Sequence, residues 1–281
     1  MRWSPGGVSP DIEDRRSFGG GGGFRGPGMR LGLGSTLVLI VLGLIFKQDF
    51  LSMFTGAPVP AVQRQGSADR DPGEQREVQF VSFVLDDVQN TWDRLLPQSG
   101  AAYRHAKLVL FRDYTESGCG SAQSATGPFY CPPDEKVYID LGFFDELSRR
   151  FGAPGEFAQA YVLAHEIGHH VQTVLGVERK LREAQARNRA AANQLSVRME
   201  LQADCLAGVW GHSTKQRNII DAADVEAGMR AAAAVGDDRL QKMSKGHVSP
   251  ESFTHGSSAQ RVEWFRRGLE AGTVAACDTF R

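Results

Sequence analysis

The hydrophobic pattern divides this chain into a folded body and an unusual leader. From Val78 the sequence VQFVSFVLDDVQNTWDRLL opens apolar, then places Val84, Val88, Trp92 and Leu95 at helical spacing. HAKLVLF (residues 105–111) is rich in β-branched and aromatic residues and predicts a strand. So does KVYIDLGFF (residues 136–144), which follows the stop at Pro132 and Pro133. Residues 157–174, 180–193, 195–210, 221–235 and 257–271 each repeat apolar positions at helical spacing, and no internal repeat is visible. A few early strands followed by many helices predict an α+β domain, helix-rich toward its C-terminus, with a small N-terminal sheet.

Upstream, residues 1–30 carry the run Gly19 to Gly23, further glycines and five arginines, and almost no aliphatic residues. That composition cannot bury enough apolar surface to fold, and predicts a disordered segment. Residues 31–46, LGLGSTLVLIVLGLIF, carry no charge. As a helix they would reach ~24 Å, short of a hydrocarbon core of ~30 Å. A snorkelling Lys47 and the apolar Phe50, Leu51, Met53 and Phe54 extend the run enough to span, and residues 31–50 are expected to form a transmembrane helix. A buried core helix suits the loop-like flanks less well, and a cleaved signal peptide does not suit the long segment that precedes the run. Arg2, Arg15, Arg16, Arg25 and Arg30 precede the run and only Lys47 follows closely, which predicts a cytoplasmic N-terminus with the remainder exported. Residues 51–79 mix Pro, Gly, Gln, Asp and Arg without periodicity and read as a linker, leaving residues 80–281 for the folded domain.

Composition adds little except through cysteine. The 281 residues are 41% hydrophobic and 23% charged, with a formal net charge of -1, so nothing in the charge points to nucleic acid. Cys119, Cys131, Cys205 and Cys277 show no C-x-x-C spacing, which argues against a zinc knuckle and leaves disulfides in an exported domain or buried thiols in a cytoplasmic one. Export favours disulfides. The loop residues Gly118, Gly120 and Pro132 favour joining Cys119 to Cys131, and Cys205 with Cys277 follows by elimination.

The candidate chemistry sits in AHEIGHHVQ. His165 and His169 are four residues apart on a predicted helix, so both imidazoles can face one ion, and Glu166 lies beside the first as a base for a metal-activated water. A catalytic zinc site needs a third protein ligand and an open position. The extended motif that would supply a third histidine is absent, because Gln172 and Leu175 occupy its Gly and His positions. Glu178 and Glu183 lie on a solvated helix face. Glu200, in RMELQADCLAGVW among Met199, Leu201, Leu206, Val209 and Trp210, is a carboxylate in an apolar setting and is the expected third ligand. Asp204, one turn on, is expected to accept the second N–H of a ligand imidazole; a core ion pair with an arginine such as Arg198 is the alternative. Cys205 points ~140° away from Glu200 around the helix, and His170 ~100° from His169, so neither is expected at the ion. His105, His212 and His247 have no motif around them. Tyr138 and Asp140 share one strand face, where packing or exposure is the simpler expectation than substrate contact.

With GPFYCPPDEKVYIDLGFF (residues 127–144), VLAHEIGHHVQ (162–172), RMELQADCLAGVW (198–210) and HGSSAQR (255–261), the chain resembles the bacterial neutral zinc metallopeptidases of the gluzincin type, over residues 80–281. The resemblance implies a zincin-like, membrane-anchored domain with one Zn2+ per chain on His165, His169 and Glu200, and a sheet edge beside the cleft. HGSSAQR matches the His-Pro-x-x-x-x-Arg element of related gluzincins except that Gly256 replaces the proline. His255 is thus a candidate donor to the oxyanion and Arg261 a supporting partner behind the ligands; a helix-capping or surface histidine is the competing reading. The expected function is peptide-bond hydrolysis, with Glu166 and His255 catalytic, acting on a peptide or protein substrate outside the cytoplasm at a bacterial inner membrane, held there by one N-terminal helix and without nucleic acid. The rival is a non-enzymatic envelope protein that binds peptides or partners on the same scaffold, against which an intact Glu166 speaks. A structural zinc site would want a closed fourth ligand, and none is evident.

Overall fold

The computed structural model describes residues 1–18, 72–123 and 127–280, which belong to one unit. In chain order the elements are β1 (Ile12–Asp14), α1 (Pro72–Leu95), β2 (Lys107–Phe111), β3 (Tyr114–Ser117), β4 (Gly120–Gln123), β5 (Phe129–Cys131) and β6 (Lys136–Asp140). The helices α2 (Gly142–Arg149), α3 (Glu156–Val174), α4 (Val177–Arg187), α5 (Ala192–Gln216), α6 (Ala222–Ala234), α7 (Asp237–Lys245) and α8 (Ser258–Ala271) follow. The helix-rich α+β organisation is as expected.

The main sheet has the order β1-β2-β6-β5. β1 and β6 run parallel to β2, and β5 returns antiparallel along β6 with Phe129 opposite Tyr138 and Cys131 opposite Lys136. β5 is therefore an edge. β3 and β4 form a separate hairpin, tied to β5 by the Cys119–Cys131 disulfide. Leu108, Leu110, Val137 and Ile139 of the central strands are fully buried with Val84, Leu85, Val88 and Trp92 of α1 and Ala160, Leu163 and Ile167 of α3. The alternation of β2 and β6 thus serves one core, while Val109, Phe111 and Tyr138 pack with Cys131 on the opposite sheet face.

The helical half is built on close approach. An added Cβ at Gly168 of α3 would lie 3.0 Å from the Ala203 carbonyl oxygen of α5, and one at Gly208 of α5 would collide with the Phe265 carbonyl oxygen of α8. Side chains projecting from three different helices can consequently meet over short distances. The Cys205–Cys277 disulfide closes the C-terminal end onto α5, so both cysteine pairs are those expected. α8 starts at a capping box in which Ser257 accepts from the Gln260 N–H, which fixes the first turn carrying Arg261.

Three boundaries differ from expectation. Residues 1–18, expected to be disordered, include β1 and pack on the body. Met1 and Trp3 lie against the core, and Arg16 is buried and paired with Asp14 (2.6 Å) and Glu74 (3.0 Å). Composition misled because the body completes the segment: α1 gives Trp3 an apolar surface and Arg16 the counter-charge of Glu74, while Lys107 and Lys136 on the strands meet Asp11 and Glu13. The expected linker over residues 51–79 ends earlier, since α1 begins at Pro72, a residue suited to a first helical turn, and the folded region does not start at residue 80. The second strand stops at Asp140, whose carboxylate accepts from the Gly142 N–H at 2.9 Å and so starts α2 where strand had been expected through Phe144. Residues 31–50 lie outside the described residues, and among the described residues no helix is long and apolar enough to cross a membrane.

Gly208→Ala should destabilise the chain by about 1–3 kcal/mol through forced separation of α5 and α8. Gly6→Ala, where an added Cβ meets nothing within 4 Å, should be close to neutral. Equal urea midpoints for the two variants would contradict the close-packed helix account.

Candidate metal centre

Nearest-neighbour geometry on α3 does what the spacing predicts: the His165 and His169 rings lie 4.8 Å apart, centroid to centroid, on one face. α5 crosses beside them at the Gly168–Ala203 contact and brings Glu200 between the two imidazoles. The Nε2 atom of His165 is 3.1 Å from Glu200 Oε2, and that of His169 is 3.5 Å from Glu200 Oε1. One donor atom from each residue lies within 4.8 Å of the others. Zn–N and Zn–O bonds of about 2.0–2.2 Å in a tetrahedron put donors about 3.4 Å apart, so the set fits zinc by number, chemistry and spacing.

Each imidazole is held from behind so that Nε2 is the atom offered. His165 Nδ1 donates to Asp204 Oδ1 at 2.8 Å, and His169 Nδ1 donates to Gln172 Oε1 at 2.8 Å. Gln172 is itself fully buried and fixed, its amide nitrogen donating to the Met199 carbonyl at 2.8 Å and to Gln202 Oε1 at 3.1 Å. Orientation by the second nitrogen is what a metal-ligating imidazole requires.

Asp204 is wholly buried and collects donors from two other helices. Besides His165, it accepts from the Tyr161 hydroxyl and from Arg261, whose Nε lies 2.8 Å from Oδ2 and whose terminal nitrogen lies 2.9 Å from Oδ1. Arg261 also donates to the Tyr161 hydroxyl at 3.2 Å and to the Val235 carbonyl at 3.2 Å. Asp204 thus has both an imidazole and an arginine, but the arginine is Arg261; Arg198 instead donates to the Phe280 carbonyl at 3.4 Å.

The electrostatics are those of a site with anions gathered around one point. Burial pushes the His165 imidazole toward neutrality, but the Asp204 carboxylate and the Glu200 hydrogen bond outweigh it and raise its pKa to about 10. For Glu200, burial raises the pKa, and the charge and hydrogen bonds of His169 and His165 overcome it, holding the carboxyl well below its usual range. Anions gathered in this way favour a cation at their centre, and coordination of a divalent ion needs neutral imidazole and ionised carboxylate.

Glu166 and His255 line one cleft of about 600 Å³ with His165, His169 and Glu200. Gly127, Pro128, Phe129 and Tyr130 of the edge-strand segment form one wall, and Tyr130 is tied to α3 by its hydroxyl, 3.1 Å from His170 Nδ1. His170 is otherwise bonded to the Arg104 carbonyl and stands apart from the ligands, as expected. Tyr138 donates to Asp134 at 2.7 Å and Asp140 accepts from backbone N–H groups, so both are structural. His255 follows α7, and Asp237 organises it: one carboxylate accepts from the backbone N–H groups of Thr254 (2.7 Å), His255 (2.7 Å) and Gly256 (3.2 Å), while its other oxygen lies 3.2 Å from His255 Nδ1. That hydrogen bond raises the His255 pKa.

Tyr161, Gln172 and Asp237 were not singled out in the sequence. Tyr161 precedes His165 by four residues and Gln172 follows His169 by three, so helical spacing alone could have flagged both. Asp237 carried no such signal, because only the packing of α7 against the loop before α8 brings it to His255.

A family model described as "Putative neutral zinc metallopeptidase" matches residues 1–280. The chain is 47% identical over 285 residues to the uncharacterized protein YpfJ of Escherichia coli strain K12, covering 100% of this chain and 99% of that protein. It is 45% identical over 204 residues to the uncharacterized protein Rv2575 of Mycobacterium tuberculosis strain H37Rv, covering 69% of this chain and 67% of that protein. No solved structure matches the chain.

Glu200→Ala should lower the zinc retained by purified protein far below one per chain, whereas Glu183→Ala, on an exposed helix face, should not. Asp204→Asn and Gln172→Leu should each weaken zinc affinity about 10- to 100-fold in chelator competition, because each frees an imidazole to rotate. Wild-type affinity in both would refute the orienting roles.

Proposed function

This chain belongs to the neutral zinc metallopeptidase family, and we propose that it hydrolyses peptide bonds with Glu166 as the proton carrier. The observation that carries the reading is a three-donor set, His165, His169 and Glu200, sharing a cleft with a carboxylate that is not one of the donors. A site built only to hold an ion has no use for Glu166, and a peptide-binding scaffold has no use for either.

When bound, zinc supplies Lewis acidity that polarises a carbonyl and makes water acidic near neutral pH. Glu166 accepts a proton from the attacking water and passes it to the departing amine nitrogen. His255 lines the same cleft, with Nδ1 between Thr254 Oγ1 and Asp237 Oδ1, and its raised pKa favours the protonated form that would donate to the oxygen on which negative charge develops. Arg261 keeps Asp204 ionised and thereby keeps the His165 ring in register. Among the described residues β5 has a neighbour on one side only of its sheet and borders the cleft, which suits an extended polypeptide added along that edge. The two disulfides favour work outside the cytoplasm, and the apolar run of residues 31–46 favours attachment to a membrane there.

Glu166→Gln should retain zinc and fold yet reduce hydrolysis of a fluorogenic peptide by about 10²- to 10⁴-fold. Equal turnover by zinc-loaded wild type and Glu166→Gln would assign any cleavage to another site. His255→Ala should lower kcat by about 10²-fold with little change in KM, and Asp237→Asn should move kcat in the same direction by less. A change confined to KM would make His255 a substrate-binding group and not an oxyanion donor.

A further inference from the structure

Residues 1–18 are joined to the body by interactions that two aqueous compartments cannot share. Ile12, Glu13 and Asp14 pair with Leu108, Val109 and Leu110 in a parallel ladder. The ladder is flanked by the Leu108 N–H donating to the Asp11 carbonyl at 2.8 Å and the Arg15 N–H to the Leu110 carbonyl at 2.7 Å. Side chains reinforce it: Lys107 lies 2.7 Å and His105 2.7 Å from Asp11, and Lys136 lies 2.6 Å from Glu13 on the next strand. Trp3 packs on Phe80 and Phe83 of α1, with ring centroids 5.3 and 6.1 Å away. The same body holds two disulfides, which persist in oxidising compartments. Between its two parts, in sequence, lies the apolar run of residues 31–46.

We infer that residues 1–18 lie on the same, extracytoplasmic side of the membrane as the zinc-binding body. A single crossing would separate hydrogen-bonded strands by a hydrocarbon core of about 30 Å. The arginine bias that favours a cytoplasmic N-terminus is weakened by the fold itself. Arg15 donates to the Glu116 carbonyl at 3.1 Å, and buried Arg16 pairs with Glu74 at 3.0 Å, so two of the five leading arginines have partners on the body. The inference is independent of the zinc chemistry, and its failure would leave that reading intact.

The test uses the full chain in its own membrane. All four native cysteines are in disulfides, so a single introduced thiol can be read by itself. Val8 is 62% exposed and Met243, in the body, is 50% exposed, so Val8→Cys and Met243→Cys should both fold. Spheroplasts are treated with a membrane-impermeant maleimide, with lysed cells as the measure of full labelling. Equal labelling of both variants in intact spheroplasts is expected. Labelling of Met243→Cys with Val8→Cys protected until lysis overturns the shared side, and protection of both overturns the extracytoplasmic assignment. A zero-length carbodiimide applied to wild-type membranes gives a second readout, because it joins a carboxylate to an amine in contact. Cross-linked peptides containing Asp11 with Lys107, or Glu13 with Lys136, are expected, and absence of both links contradicts the strand pairing on which the inference stands.

Discussion

The wholly buried carboxylate of Asp204 is the constraint around which the helical half is arranged. A lone carboxylate in that position would be unfavourable by several kcal/mol, and it is ionised because donors from three directions reach it. Tyr161 and His165 come from α3 and Arg261 from the first turn of α8, while Asp204 itself belongs to α5. One charge thus fixes the mutual placement of three helices. The same contact sets the tautomer of His165, so the requirement to satisfy a buried anion and the requirement to present Nε2 to an ion are met by a single hydrogen bond.

That arrangement is feasible only because the backbones come close. At Gly168 and at Gly208 a larger residue would push against a carbonyl oxygen of the neighbouring helix. Short side chains at the crossings let Glu200 reach between His165 and His169 and let Arg261 reach Asp204. The aromatic contacts between Phe157 and Trp210 and between Tyr161 and Phe265 fill the space beside these crossings, with centroids 5.6 and 5.2 Å apart. Packing and chemistry are consequently coupled: a loss of close approach between helices would be felt first as a loosening of the ligand set.

The sheet contributes in a different way. It presents β5 as an edge beside the cleft and anchors that edge to α3 through Tyr130 and His170. Its other edge is completed by β1, drawn from a leader whose composition resembles that of an unfolded segment. The glycines and arginines of residues 1–30 give no hint that Asp11, Glu13 and Arg16 meet counter-charges on β2, β6 and α1. The compartment of the leader is therefore tied to that of the body by hydrogen bonds and ion pairs, and charge counting along the sequence does not capture that tie.

Sequence by itself determined the features that depend on short-range spacing. His165, Glu166 and His169 were legible because residues four apart on a helix share a face, and Glu200 and Asp204 because charged residues one turn apart in an apolar helix need a common partner. The helices from residue 157 onward and the two central strands were legible for the same periodic reasons. Tertiary structure alone decided which arginine meets Asp204, that Asp237 holds His255, that residues 1–18 supply a strand, and that the second strand gives way to α2 after Asp140. Each of these is a contact between segments far apart in the chain, or a cap made by one side chain on a backbone N–H. Neither leaves a periodic trace: Arg261 meets Asp204 while Arg198 bonds the Phe280 carbonyl, and the close approach of α8 to α5 at Gly208 is a contact that no pattern within either helix encodes.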